Sequence, residues 1–194
     1  MATTVCPHRA VLLLALVVAG CYQGSARSVS LADVAKQPGW LLVDGMSVVR
    51  QDGAHDCGPA ALAMVLARWG ITDSAPEIRR AVAAPNNSGT APGVTAGALR
   101  DFVRHKGLQA FHISGIEADL ERELGVARPV LVGLLQRYGG NRVYAHYEVV
   151  VGINPQRRRV LLMDPGSGPR EDDLGAFESE WAGAGRLALV VAPS

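Results

Sequence analysis

Residues Gln51 to Leu66 read QDGAHDCGPAALAMVL. Pro59 is tolerated only in the first turn of a helix, where its missing N–H has no partner to lose. A helix therefore starts at Cys57, with Asp56 in the N-cap place. Leu62, Val65, Leu66 and Trp69 form one stripe of it, and Ala60, Ala61, Ala63, Met64 and Ala67 cover its other faces. Arg68 is its one charge, so this predicted helix is apolar nearly all round and belongs in a core, with Gly70 as its stop. A sulfur in its first turn meets the partial positive charge of unpaired N–H groups, which favours the thiolate. Gly58 leaves room beside that sulfur, and Gln51 can aim an amide N–H at an oxyanion forming beside the N–H of Cys57. A small, inert Cys packed at a helix start is the other reading.

A reactive thiolate needs a base, and the base needs a third group to hold it. Five histidines are available. His8 lies in an apolar leader, His55 adjoins Cys57 in sequence, and His105 and His112 fall on a predicted helix end and strand. His146 stands in AHYEVVVGI, where Ala145, Tyr147, Val149, Val151 and Ile153 alternate on one face. His146 and Glu148 share the opposite, less apolar face. With 145–153 and 159–163 as an antiparallel hairpin and a loop at Asn154-Pro155-Gln156, Ile153 faces Arg157 and His146 falls directly opposite Asp164. A loop slipped by one residue is expected to leave the two as diagonal neighbours on one face, about 7–8 Å apart. A carboxylate there fixes the ring's tautomer and favours the imidazolium. Against this stand a plain strand histidine and an Asp that merely opens the turn at Pro165-Gly166.

Around this centre the pattern is mixed. A short strand is expected at 46–49, and a helix from Ser74, with the capping box Ser74-x-x-Glu77, to about Ala84. A loop over Pro85 to Gly93 follows, then a helix over 95–106. A strand over 108–113, a helix over 116–124, a strand over 129–136, a helix over 174–181 and a last strand over 187–191 complete the chain. Helices come first and strands mostly later, which argues an α+β fold.

The first residues carry an address. Met1 to Arg9 holds one Arg and no acid, and Ala10 to Ala19 is an unbroken apolar run. It is too short to cross a bilayer, which takes about 20 residues, and has the length of a secretory h-region. It ends in Val18-Ala19-Gly20-Cys21, which resembles a bacterial lipobox. Residues 1–20 are thus expected to be a lipoprotein signal peptide. Cys21 would be the lipidated first residue of the mature chain, 21–45 a polar tether and short lead-in, and 46–194 one domain. Tyr22, rather than Asp, after the lipidated Cys points to an outer membrane, facing the periplasm. A plain signal peptide cut near Ala19 or Ala26 is the alternative. Cys6 then leaves with the signal and Cys21 takes lipid, so Cys57 has no disulfide partner in an oxidising compartment. The chain is 48% hydrophobic, 19% charged and has a formal net charge of +1, enough apolar material for a core. No run of Lys and Arg marks a nucleic-acid surface.

Gln51, the DCGPAALAM run, the strand start at His146, the DPGSG after the next strand, and Phe177 with Trp181 together resemble the bacteriocin-processing peptidases. These are papain-like cysteine peptidases that include the double-glycine leader peptidase domains of peptide exporters. The resemblance spans Met46 to Ala192 and follows the order Gln, Cys, His, Asp. It implies a papain-like fold with helices packed on a C-terminal antiparallel sheet. It further implies Cys57 as nucleophile, His146 as general base and acid, Asp164 as orienter and Gln51 as oxyanion donor. Exporter-fused members continue into membrane spans and an ATP-binding cassette. Here a stand-alone, lipidated form is expected, to which double-glycine specificity does not carry over.

Three functions compete at this point. One is a thiol endopeptidase acting on exported peptides or proteins, the second a cell-wall amidase or acyltransferase of the same fold, the third a catalytically silent peptide-binding lipoprotein. No cofactor is called for, and no metal: the residues around Cys57 lack ligand spacings such as CxxC or HExxH. The sequence leaves the oligomeric state open.

Overall fold

The structure, a computed structural model, describes residues 22–83, 93–139 and 141–194. The readings placed on the signal segment, on Cys21 and on most of the 85–93 loop lie outside the described residues. Among the described residues the elements run β1 (Arg27–Ser28), α1 (Leu31–Ala35), β2 (Leu41–Leu42), α2 (Cys57–Ala67), α3 (Ala75–Val82), α4 (Ala96–His105) and β3 (Gln109–Ser114). They continue with α5 (Glu117–Gly125), β4 (Val130–Tyr138), β5 (Arg142–Asn154), β6 (Arg159–Asp164), β7 (Gly168–Asp173), α6 (Leu174–Gly183) and β8 (Leu187–Ala192). All described strands join one antiparallel sheet in the order β1-β7-β6-β5-β4-β8-β3, and β2 pairs with β5. The fold is α+β, as the order of helices and strands implied.

α2 is the helix the sequence predicted. Every residue from Cys57 to Leu66 is buried, so it runs through the interior rather than over it. Gly70, at φ +75, takes the left-handed conformation that ends it, and the Ile71 N–H returns to the Leu66 carbonyl. Leu62, Val65 and Leu66, with Leu99 and Val103 of α4, pack on Leu131, Val149, Val151, Leu161 and Met163 of the sheet. The other sheet face is also covered. Leu120 and Leu124 of α5 and Phe177 and Trp181 of α6 lie against Val132, Leu134, Val150, Ile153 and Leu162. Each such buried side chain contributes about 1.5–3 kcal/mol.

Several local expectations are corrected. Asp56 sits at the N-cap of α2 but makes no capping bond, because its carboxylate pairs with Arg79 of α3. Residues 46–49 form no strand; β2, a few residues earlier, takes the edge of β5 instead. Segment 22–45 does not hang as a tether. Its β1 pairs with β7, its β2 with β5, and Val34 and Val43 are buried in the two cores. β7 went unread because GPREDD is polar and lacks alternation.

The β5–β6 hairpin differs from expectation in an instructive way. Asn154 pairs with Arg159, so the turn occupies residues 155–158 and is one residue longer than the loop read from sequence. A longer loop alone does not leave His146 and Asp164 on one face, as expected above; with period-two alternation it sends them to opposite faces. A β-bulge between Val150 and Gly152 restores the parity. Beyond it Val149 pairs with Met163, and continuing that register sets Asp164 opposite Glu148, diagonal to His146. The same bulge turns Ile153 away from Val149 and Val151 to the α6 side.

Candidate active site

β6 ends at Asp164, whereas β5 runs on through Tyr147 and His146 toward Arg142 with β4 as its partner. The Cys57 sulfur lies near the N–H groups of Tyr147 and Gly58 and near the His146 ring, all of which favour its thiolate. A Cβ on Gly58 would come within 3.2 Å of the Tyr147 ring, so the glycine lets the helix tip approach β5 this closely. Cys57 is buried, with 8% of its surface exposed.

On its other side the ring of His146 meets Asp164, Nε2 to Oδ1, at 2.7 Å. Nδ1 is therefore the nitrogen left for the sulfur. Asp164 is itself held: the Gly166 N–H donates to Oδ1 at 2.7 Å and the Ser167 hydroxyl to Oδ2 at 2.5 Å. α2, β5 and β6 thus bring Cys57, His146 and Asp164 together, with His146 bonded to Asp164 and close to the Cys57 sulfur.

Burial pushes the Cys57 thiol up, but His146 and the two N–H groups more than offset it, and its pKa lies below the ordinary thiol value. Burial pushes His146 down; its bonds to Asp164 and Cys57 and the charges of Glu148 and Asp164 raise it to about 10. Burial also opposes ionisation of Asp164, yet His146, Ser167 and Gly166 hold its carboxyl well below the usual range. Those directions describe a thiolate beside an imidazolium. Such a pair can attack a carbonyl carbon and then protonate a leaving group.

Gln51 is placed by its backbone N–H, which donates to the Pro165 carbonyl at 3.1 Å, next to Asp164. Its Nε2 donates to the Gly53 carbonyl at 3.0 Å, leaving its second amide hydrogen for another acceptor. A cleft of about 420 Å³ opens over Cys57 and His146, walled by Leu134, Leu135, Ala145, Leu187 and Val94. Of the other histidines, His55 also lines this cleft, while His105 donates through Nδ1 to the Asp101 carbonyl and His112 lies on β3.

Sequence reasoning missed Arg170 and Ser167, which follow Asp164 on the unread β7 and its approach. It noted Glu148 only as a face-mate of His146. His146, Glu148 and Asp164 lie close enough together to surround a cation. Their ligand atoms are committed elsewhere: both Glu148 oxygens to Arg170 and Gln136, both Asp164 oxygens to His146, Gly166 and Ser167. The set is a hydrogen-bond network, not a ligand cage.

A helix-borne cysteine facing a sheet-borne histidine and aspartate defines the class of papain-like cysteine peptidases. The model of the Peptidase C39 family matches residues 46–194, and the chain belongs to that family. It is a cysteine peptidase. It is similar to an uncharacterized protein of Methanothermobacter marburgensis, 34% identical over 121 residues, 62% of this chain and 72% of that one. Among solved structures it resembles the peptidase domain of Streptococcus ComA, a bi-functional ABC transporter of a quorum-sensing pathway. The TM-score is 0.60 at 26% identity, over 77% of this chain and 100% of that domain. A putative C39-like peptidase from Bacillus anthracis has a similar fold, at TM-score 0.64 and 16% identity, over 80% of this chain and 98% of that one. So has a double glycine motif protease from an AMS/PCAT transporter, solved with its leader peptide (TM-score 0.57, 21% identity, 77% of this chain and 93% of that one).

Proposed function

We propose that this chain is a thiol endopeptidase of the cell envelope, anchored through lipid on Cys21 and cleaving exported peptides or proteins. The observation that carries the peptidase mechanism is Cys57 beside His146, itself bonded to Asp164, in an open, largely apolar cleft. Cys57 Sγ attacks the scissile carbonyl carbon. The resulting oxyanion is received by the Cys57 N–H and the second amide hydrogen of Gln51. His146 passes its proton to the leaving amine, the C–N bond breaks, and a thioester remains on Cys57. Water then attacks the thioester with His146 as base. The carboxylic acid departs and the thiolate–imidazolium pair returns. Asp164 holds the ring through both steps.

Peptide substrates are supported by the family and by the leader peptide bound to the similar double glycine motif protease. The apolar cleft walls suit aliphatic side chains near the scissile bond. The envelope address rests on the run Ala10 to Ala19 and on Val18-Ala19-Gly20-Cys21. Peptide-library cleavage profiling tests the reading, with Cys57→Ala as control. Cleavage by the unaltered chain that vanishes in the control is expected. Equal turnover by both would end the endopeptidase reading.

A further inference from the structure

Beside His146 lies a charged pair that the trio of Cys57, His146 and Asp164 does not use. Glu148, on the same face of β5, is completely buried, and its Oε1 stands 3.8 Å from His146 Nε2. Arg170 of β7 grips it from the far side in two bonds, Nε to Oε2 and Nη2 to Oε1, each 2.7 Å. Gln136 of β4 donates to Oε1 at 2.6 Å, and the Tyr138 hydroxyl donates to Gln136 at 3.2 Å. Packing alone does not call for charge here, since Val150 and Leu162, the neighbours of Glu148 and Arg170 on the same sheet face, are apolar. A buried ion pair is weak support for a fold, because desolvation offsets its attraction. Its placement against a protonatable ring is the feature that packing leaves unexplained.

We infer that Glu148 is a positioning residue of this active site: with Arg170 as its counter-ion, its carboxylate forms a second anionic wall for the His146 ring and keeps the imidazolium against the Cys57 thiolate. The inference rests on the reading of Cys57 and His146 as the working pair. The ionisable groups around the ring are Cys57 from α2, Asp164 from β6, Glu148 from its own strand and Arg170 from β7. Behind Arg170, Glu180 of α6 lies 3.9 Å away and the Tyr22 ring 5.1 Å away. The Glu148 charge is among the influences that raise His146. Removing it takes away an attraction for the ring proton and leaves Arg170 with only the more distant Glu180 as counter-ion. Both effects favour the neutral ring, so its titration must move to lower pH.

The test follows the His146 ring by NMR in the full chain labelled with ε1-13C-histidine, with His146→Ala identifying the resonance. In Glu148→Gln the ring midpoint is expected to fall by about one pH unit or more. The charge-neutral double variant Glu148→Gln/Arg170→Gln removes the cation as well, and its midpoint is expected between those of the single variant and the unaltered chain. A midpoint unchanged from the unaltered chain in either folded variant overturns the inference. If the single variant does not fold, the double decides, with a lowered midpoint in support. Alkylation of Cys57 in the unaltered chain and in His146→Ala separates the two levels: equal rates there would sink the parent reading, whatever the Glu148 result.

Discussion

At the scale of single residues, the chemistry turns on which proton sits where. A buried thiol far from any cation is driven toward its neutral form; Cys57 is lowered because His146 and two N–H groups face the sulfur. An ordinary exposed thiol loses thiolate about tenfold for each pH unit below its pKa. Iodoacetamide labelling of Cys57 should therefore decline less steeply between pH 8 and 6 than a free thiol does. In His146→Ala the rate should drop about 100-fold at neutral pH, the lower end for loss of a positioned base. The ring proton also bears on stability. His146 is raised above its unfolded value, so its contribution is fully present below about pH 6.5 and is lost as pH rises through about 10. Asp164 is depressed, so its contribution is present above about pH 4 and is lost as pH falls through its lowered folded value. Cys57 is depressed and so works against the His146 loss over the same alkaline range. Melting temperature of Cys57→Ala measured from pH 3 to 11 should thus sag at both ends, and a flat alkaline side in that variant would show that the ring holds no extra proton.

At the scale of elements, the segment from Tyr22 to Asp44 does more than its composition suggests. β1 extends the sheet beyond β7, and β2 covers β5 past the point where β4 stops pairing. The Tyr22 hydroxyl donates to Glu180 at 2.6 Å, and its ring lies over Arg170. Removing residues 22–45 exposes the surroundings of Val34, Val43 and Arg170. Loss of the two valines alone costs about 3–6 kcal/mol, which lowers the melting temperature by about 10 °C. A truncated chain that melts within about 2 °C of the longer one would mean that these strands add nothing to the fold. The bulge at Val151 is the other element that matters, for it brings Asp164 back to the face of His146 after a turn one residue longer than expected.

At the scale of the whole molecule, an apolar helix inside, a sheet covered on both faces and a cleft at the end of β5 make one peptidase unit. Its placement in the cell is a separate matter, which we propose rests on residues 1–21. Cys21→Ser should move the protein from the membrane to the soluble fraction while leaving Cys57 as reactive as before; retention on membranes would exclude lipid on Cys21 as the anchor. Much of this unit was legible from local patterns. An all-round apolar helix with Pro59 in its first turn can only begin at Cys57 and run inside, and strand alternation puts His146 and Glu148 on one face. Those features depend on near neighbours in the chain. The register of β6, the pairing of β1, β2 and β7, and the grip of Arg170 on Glu148 were not legible. Strands that are very short, like β1 and β2, or polar, like β7, have no pattern of their own, and they become strands only when a neighbouring edge satisfies their backbone groups. The tertiary structure decided them because one bulge and one extra turn residue, each invisible to alternation, cancel only when both strands are laid side by side.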